Sequence, residues 1–109
     1  MIADYVQEGK TINYTNSTDE TITAGTVVVF GERCGVAGCN IEPGELGTLH
    51  MCGVFAVPKG STAISEGVTL CYDAENDVAT TTKTGNALIG YSVAAAGKDA
   101  KTVLVSFGG

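Results

Sequence analysis

Twelve consecutive residues near the middle of the chain, Thr48 to Lys59 (TLHMCGVFAVPK), restrict the fold more than any other stretch. Side chains alternate along an extended strand, so Leu49, Met51, Phe55 and Val57 share one face and His50, Cys52, Val54 and Ala56 the other. Neither face is strongly polar. A strand apolar on both sides is either central in a small closed barrel or rests against something outside its own fold. Either way it is the expected core strand. Pro58, which cannot donate to a ladder, and the turn signal Lys59-Gly60 are expected to end it.

The flanking sequence reads as more short strands. Thr11 to Thr15 alternates with Ile12 and Tyr14 on one face, and Asn16 to Glu20 is a polar loop. Thr26 to Phe30 is a β-branched run, Arg33 to Cys39 a short strand with glycines, and Pro43-Gly44 a turn. Ala63 to Gly67 is expected to form a compact corner, a single helical turn being one form of it. Val68 to Tyr72 and Val78 to Thr82 flank a hairpin tip at Asp73 to Asp77. Ala87 to Ala94 follows, with a bulge or bend at Gly90, and Thr102 to Phe107 places Val103, Val105 and Phe107 on one side. Turn signals recur about every 8 to 12 residues, as in an all-β sandwich or barrel. Fifteen glycines among 109 residues, and no helical periodicity over a long window, agree. The length fits a single domain. The reading is an N-terminal arm over residues 1–10 and one β domain over residues 11–109.

Twelve acids against six bases give a formal charge of −6, and Lys10, Arg33, Lys59, Lys83, Lys98 and Lys101 stand singly. Nucleic-acid binding needs clustered cations to displace counterions from phosphates, so no nucleic-acid partner is expected. No apolar run approaches the roughly 20 residues that span a bilayer, so no membrane partner is expected either. The opening MIADYVQEG lacks the basic start and apolar core of a signal peptide, and a soluble protein made and folded in a cytoplasm is the expectation.

Cys34, Cys39, Cys52, Cys71 and His50 are five soft ligands, but only Cys34 and Cys39 are close, and Cys52 and Cys71 fall inside expected strands. Zinc sites usually draw on two close pairs on knuckle-like turns, so no metal is expected and the cysteines are read as small apolar residues. Outside the cell disulfides can form, Cys34 with Cys39 among them. His50 and Cys52 share a strand face without a third group to orient the histidine, and a locally hydrogen-bonded histidine is the plainer reading. Asp73-Ala74-Glu75-Asn76-Asp77 begins like a calcium loop but lacks its sixth-position glycine and terminal glutamate, so a solvated hairpin tip is expected. There is no G-x-x-x-x-G-K-[ST] loop, which excludes an ATP-dependent recombinase. Neither a catalytic constellation nor a cofactor site is expected.

Four segments, taken together and in order, resemble one family: Tyr5 to Ile12, Gly53 to Lys59, Gly67 to Asp73, and Gly85 to Tyr91 followed by Val103 to Val105. Over nearly its full length the chain is similar to the DUF2190 family of small tailed-phage and prophage proteins associated with capsids as decoration, or cement, proteins. The four cysteines and the CGVAGC segment depart from the common pattern. The resemblance implies a small barrel or β-clip-like fold, a place on the virion exterior, the major capsid protein as partner, and synthesis in the host bacterial cytoplasm. Ile2, Tyr5 and Val6 of the arm, and Val54 on the apolar second face, are the expected capsid or subunit interface, the arm by adding a strand to a neighbouring sheet edge. A homo-oligomer, a trimer at threefold positions, would cover that second face. The alternative is an adhesion module for a host surface or glycan, although the absence of tryptophan argues against sugar stacking.

Overall fold

In the computed structural model, residues 1–5 and 9–108 are described, and they fold without a helix into nine strands. These are β1 (Thr11–Thr15), β2 (Val27–Phe30), β3 (Arg33–Ala37), β4 (Leu46–His50), β5 (Gly53–Pro58), β6 (Thr69–Asp73), β7 (Val78–Thr80), β8 (Ala87–Ser92) and β9 (Thr102–Phe107). All join one sheet that curls into a half-barrel, so the expected small all-β domain is what the chain forms.

The Thr48 to Lys59 stretch is two strands rather than one. The ladder of β4 ends at His50, and Gly53, at a φ of 116° that favours glycine, opens β5 after a bend. Cys52 therefore sits in the bend. The strand is not central either: β5 pairs only with β9 and forms an edge of the sheet. Its inner face is core, with Val57 buried, while Val54 and Ala56 face out. Lys59 does not turn the chain. Its N–H continues the ladder to Lys101 O at 3.1 Å, and the residue bridges Ala79 in parallel. The corner at Ala63 to Gly67 is extended, not helical, because Ile64 bridges Ala96 before the turn at Gly67.

The topology contains an internal duplication. In the first half β1 pairs β4, β4 pairs β3 and β3 pairs β2; in the second β5 pairs β9, β9 pairs β8 and β8 pairs β6. The bridge between Ile22 and Ile41 recurs as that between Ile64 and Ala96. Asn16 N to Glu45 O, 3.0 Å, recurs as Lys59 N to Lys101 O, and Ala37 N to Thr26 O, 2.9 Å, as Ser92 N to Val68 O, 3.0 Å. Only β7 stands outside the repeat.

Each half needs the same two devices. One is a buried residue where a strand ends and the chain crosses to its partner: Asn16, Ala37, Lys59 and Ser92. Asn16 donates to Ile41 O and Glu20 O, both at 2.8 Å, and Ser92 Oγ donates to Ser65 O at 2.6 Å. Lys59 Nζ donates to the carbonyls of Gly60, Gly97 and Ala100 at 2.9, 2.8 and 3.1 Å, which replaces the water a buried ammonium gives up. The other device is a glycine where β3 and β8 meet the next strand. A Cβ on Gly35 would stand 3.1 Å from Leu49 Cβ, and one on Gly90 would stand 1.8 Å from Ser106 O.

Two clusters fill the interior. Val28, Ala37 and Leu49, joined by Ile12, Tyr14 and Phe30, pack inside the first half. Leu70, Ile89, Val103, Val105 and Phe107 pack inside the second, and Cys34 and Val36 of the first half close that cluster. The expected facing of Val103, Val105 and Phe107 is observed. So is the irregularity at Gly90, where the register slips by one residue as Leu70 pairs Gly90 and Cys71 pairs Leu88.

Candidate functional site

The chemistry-bearing side chains are dispersed. Cys34 and Cys71 are buried, Cys39 and Cys52 exposed, and all four are free thiols, so Cys34 and Cys39 are not bonded to each other. Burial, and then the neighbouring Cys71, push the Cys34 thiol up to about 11; burial also raises Cys71, against the opposing pull of Lys83. Buried thiols held neutral are poor nucleophiles. Among the described residues no three of His, Cys, Asp and Glu converge as a metal site.

His50 is exposed on β4, and packing stands where a hydrogen bond was expected. Its ring lies 6.3 Å from that of Phe55, tilted by 39°, and Gly38 gives it room, since a Cβ there would be 2.9 Å from Nε2. The Asp73 to Asp77 turn is the expected hairpin tip: Asp73 Oδ1 accepts from the N–H groups of Glu75 and Asn76, and Oδ2 from Asn76 Nδ2. The Asn76 bond is the main reason the Asp73 carboxyl titrates below its usual range. An open cleft of about 700 Å³ between the β2–β3 turn and the start of β8 includes Arg33, Lys83 and Asn86, without a nucleophile and base in contact.

The surface is more specific. Met1 to Tyr5 lies outside every strand, with Ile2 92% and Tyr5 83% exposed. Its root is fixed where Met51 N donates to Lys10 O at 2.8 Å. Val6 lies outside the described residues. Val54, 57% exposed, opens a cross-strand row through Ser106 of β9 and Tyr91 of β8, and Ala56 pairs Leu104 in the row beside it. Leu104 and Tyr91 are each 45% exposed. Sequence reading found Val54 and missed these two, because only the register places them beside it.

An exposed arm and an uncharged sheet face mark the outside of a small all-β domain. Residues 6–107 match the family model for the phage cement protein, and the chain belongs to that family. It is a phage capsid cement, or decoration, protein and a component of the virion capsid, in a family whose members are structural rather than catalytic. Neither the curated proteins nor the solved structures contain a significant match to it.

Proposed function

We propose that this chain binds the outer surface of the shell built by the major capsid protein and stabilises the head, with the arm as its first anchor. The observation that carries this reading is the arm itself. Ile2 and Tyr5 leave almost all of their apolar surface in water, a state that association would relieve at about 25 cal/mol per Å² buried. A terminal segment that belongs to no strand of its own sheet suits strand addition to a sheet edge on the shell, where main-chain hydrogen bonds supply affinity and alternate side chains specificity. Many copies on one shell multiply a modest contact.

Deletion of residues 1–8 tests it. The shortened chain is expected to keep its β circular dichroism and to stop co-sedimenting with expanded heads that lack the cement protein. Undiminished co-sedimentation would remove the arm from the mechanism.

A further inference from the structure

We propose that the outer face of β5, β9 and β8, centred on Val54, Leu104 and Tyr91, seats against an uncharged apolar patch of the capsid shell. This rests on the shell-binding reading above and names the surface that does it.

The internal duplication supplies the comparison. β1 and β4 occupy in the first half the places of β5 and β9 in the second, so Thr11, Asn13, Thr48 and His50 are the counterparts of Val54, Ala56, Leu104 and Ser106. All four residues of the first set are exposed and polar, as an outward sheet face in water should be. At the same positions of the same architecture, the second half carries Val, Ala and Leu. At these four positions the backbone does not demand apolar residues, since the first half is built without them; Tyr91 differs, because its counterpart Val36 is apolar but buried, and the exposed Leu46 of β4 corresponds to Thr102.

Charge narrows the occupant. The chain carries −6, yet Val54, Ala56, Leu104, Ser106 and Tyr91 include no charged residue. A partner that met this face with charges would bury them unpaired, so the complementary patch is uncharged. Size argues against a second copy. Three strands about 4.8 Å apart and about 20 Å long present roughly 300 Å², well under the roughly 800 Å² per partner of a stable pair. A shell that also takes the arm makes up the difference, because the root of the arm at Lys10 is bonded to Met51, just before β5 begins.

The native thiols and one matched pair of variants test this. Cys52 precedes Val54 at the edge of the proposed face, and Cys39 follows Gly38, which lies against Thr48 and His50 on the comparison face. On shells carrying the wild-type chain, maleimide labelling of Cys52 is expected to fall several-fold relative to the free chain, while Cys39 labels as before. Leu104→Lys is expected to weaken co-sedimentation with shells by about ten-fold or more, and its counterpart Thr48→Lys to leave it unchanged, with both variants melting near the wild type. Equal effects of the two variants, or unprotected Cys52, would overturn the proposal; the labelling arm decides even if Leu104→Lys fails to fold. Self-association of the free chain that Leu104→Lys abolishes, with shell binding intact, would give the face to a second copy and overturn it too. A wild-type chain that binds no shells at all would instead bring down the shell-binding reading.

Discussion

Arg33 of β3 pairs in parallel with Leu88 of β8, and each residue holds the other's place in the two halves of the fold. The repeat therefore meets itself at equivalent positions of β3 and β8. Leu88 N donates to Glu32 O at 2.8 Å beside it. The joint between the halves is therefore a parallel bridge backed by Cys34 and Val36, which the first half lends to the core of the second.

Equivalent positions need not be equally demanding, and the two crossing glycines show it. Gly90→Ala would drive a methyl to 1.8 Å from Ser106 O, with Phe107 Cα 3.1 Å away, and backbone on an adjacent strand cannot step aside. Gly35→Ala meets Met51 Sδ at 2.9 Å, which can swing, and Leu49 Cβ at 3.1 Å and His50 O at 3.2 Å, which need to give only by a few tenths of an ångström. Urea unfolding is expected to give a loss of about 1 to 3 kcal/mol for Gly35→Ala. Gly90→Ala is expected to lose more than about 4 kcal/mol, enough to leave little folded protein. Similar losses for the two would show that β9 yields as readily as a methionine side chain.

Lys59 is the least expected of the four strand-end residues. Replacing it by Met keeps much of the stem and leaves the carbonyls of Gly60, Gly97 and Ala100 without their donor. A loss of about 2 to 4 kcal/mol is expected, against about 1 to 3 kcal/mol for Ser92→Ala, which strips partners from Val68 N–H and Ser65 C=O. Chemical denaturation of both variants measures the difference. A Lys59→Met protein as stable as the wild type would mean that those carbonyls find water.

Much of this was legible in the sequence because it follows from alternation and turn chemistry. The strands at Thr11, Val27, Arg33, Thr69, Val78, Ala87 and Thr102 lie where β-branched runs meet glycine and asparagine turns. The break after His50 was not legible, because Met51-Cys52-Gly53 continues the apolar alternation and only the φ of Gly53 interrupts it. Lys59 looked like a turn residue because its three acceptors, apart from Gly60, come from a distant loop. The duplication leaves a trace in the sequence. Ile22-Thr-Ala-Gly25, Ile41-Glu-Pro-Gly44 and Ile64-Ser-Glu-Gly67 share a spacing, and each glycine has a positive φ of 88°, 81° and 74°. The fourth copy, Ala96-Gly-Lys-Asp99, has lost both the isoleucine and the glycine, which hides the period.

Thiol reactivity should divide the cysteines by depth. Cys39 and Cys52 are expected to react with an uncharged alkylating reagent at pH 8 within minutes, and Cys34 and Cys71 only at the rate of global opening. Mass spectrometry of a time course with and without urea reads this directly. Early modification of Cys34 would mean that the joint between the halves opens without the rest of the fold.

The same burial sets a pH limit. Cys34 ionises near 9 when unfolded and at about 11 when folded, and Tyr72, held by its hydrogen bond to Asp77 and then by burial, rises from about 10 to about 12. Both are neutral when protonated, so between the two values the unfolded chain has released protons that the folded chain still holds. Stability then falls as pH rises. Their contribution is whole below pH 9 and is lost as pH climbs through 11 for Cys34 and 12 for Tyr72. Urea midpoints are expected to hold level up to pH 9 and then decline, and the decline should be shallower in Cys34→Ala and in Tyr72→Phe. Cys34→Ala fills the site with a smaller group and lowers the whole curve, so the slope above pH 9, rather than the height, carries the result. An unchanged slope in both variants would assign the alkaline loss to other groups.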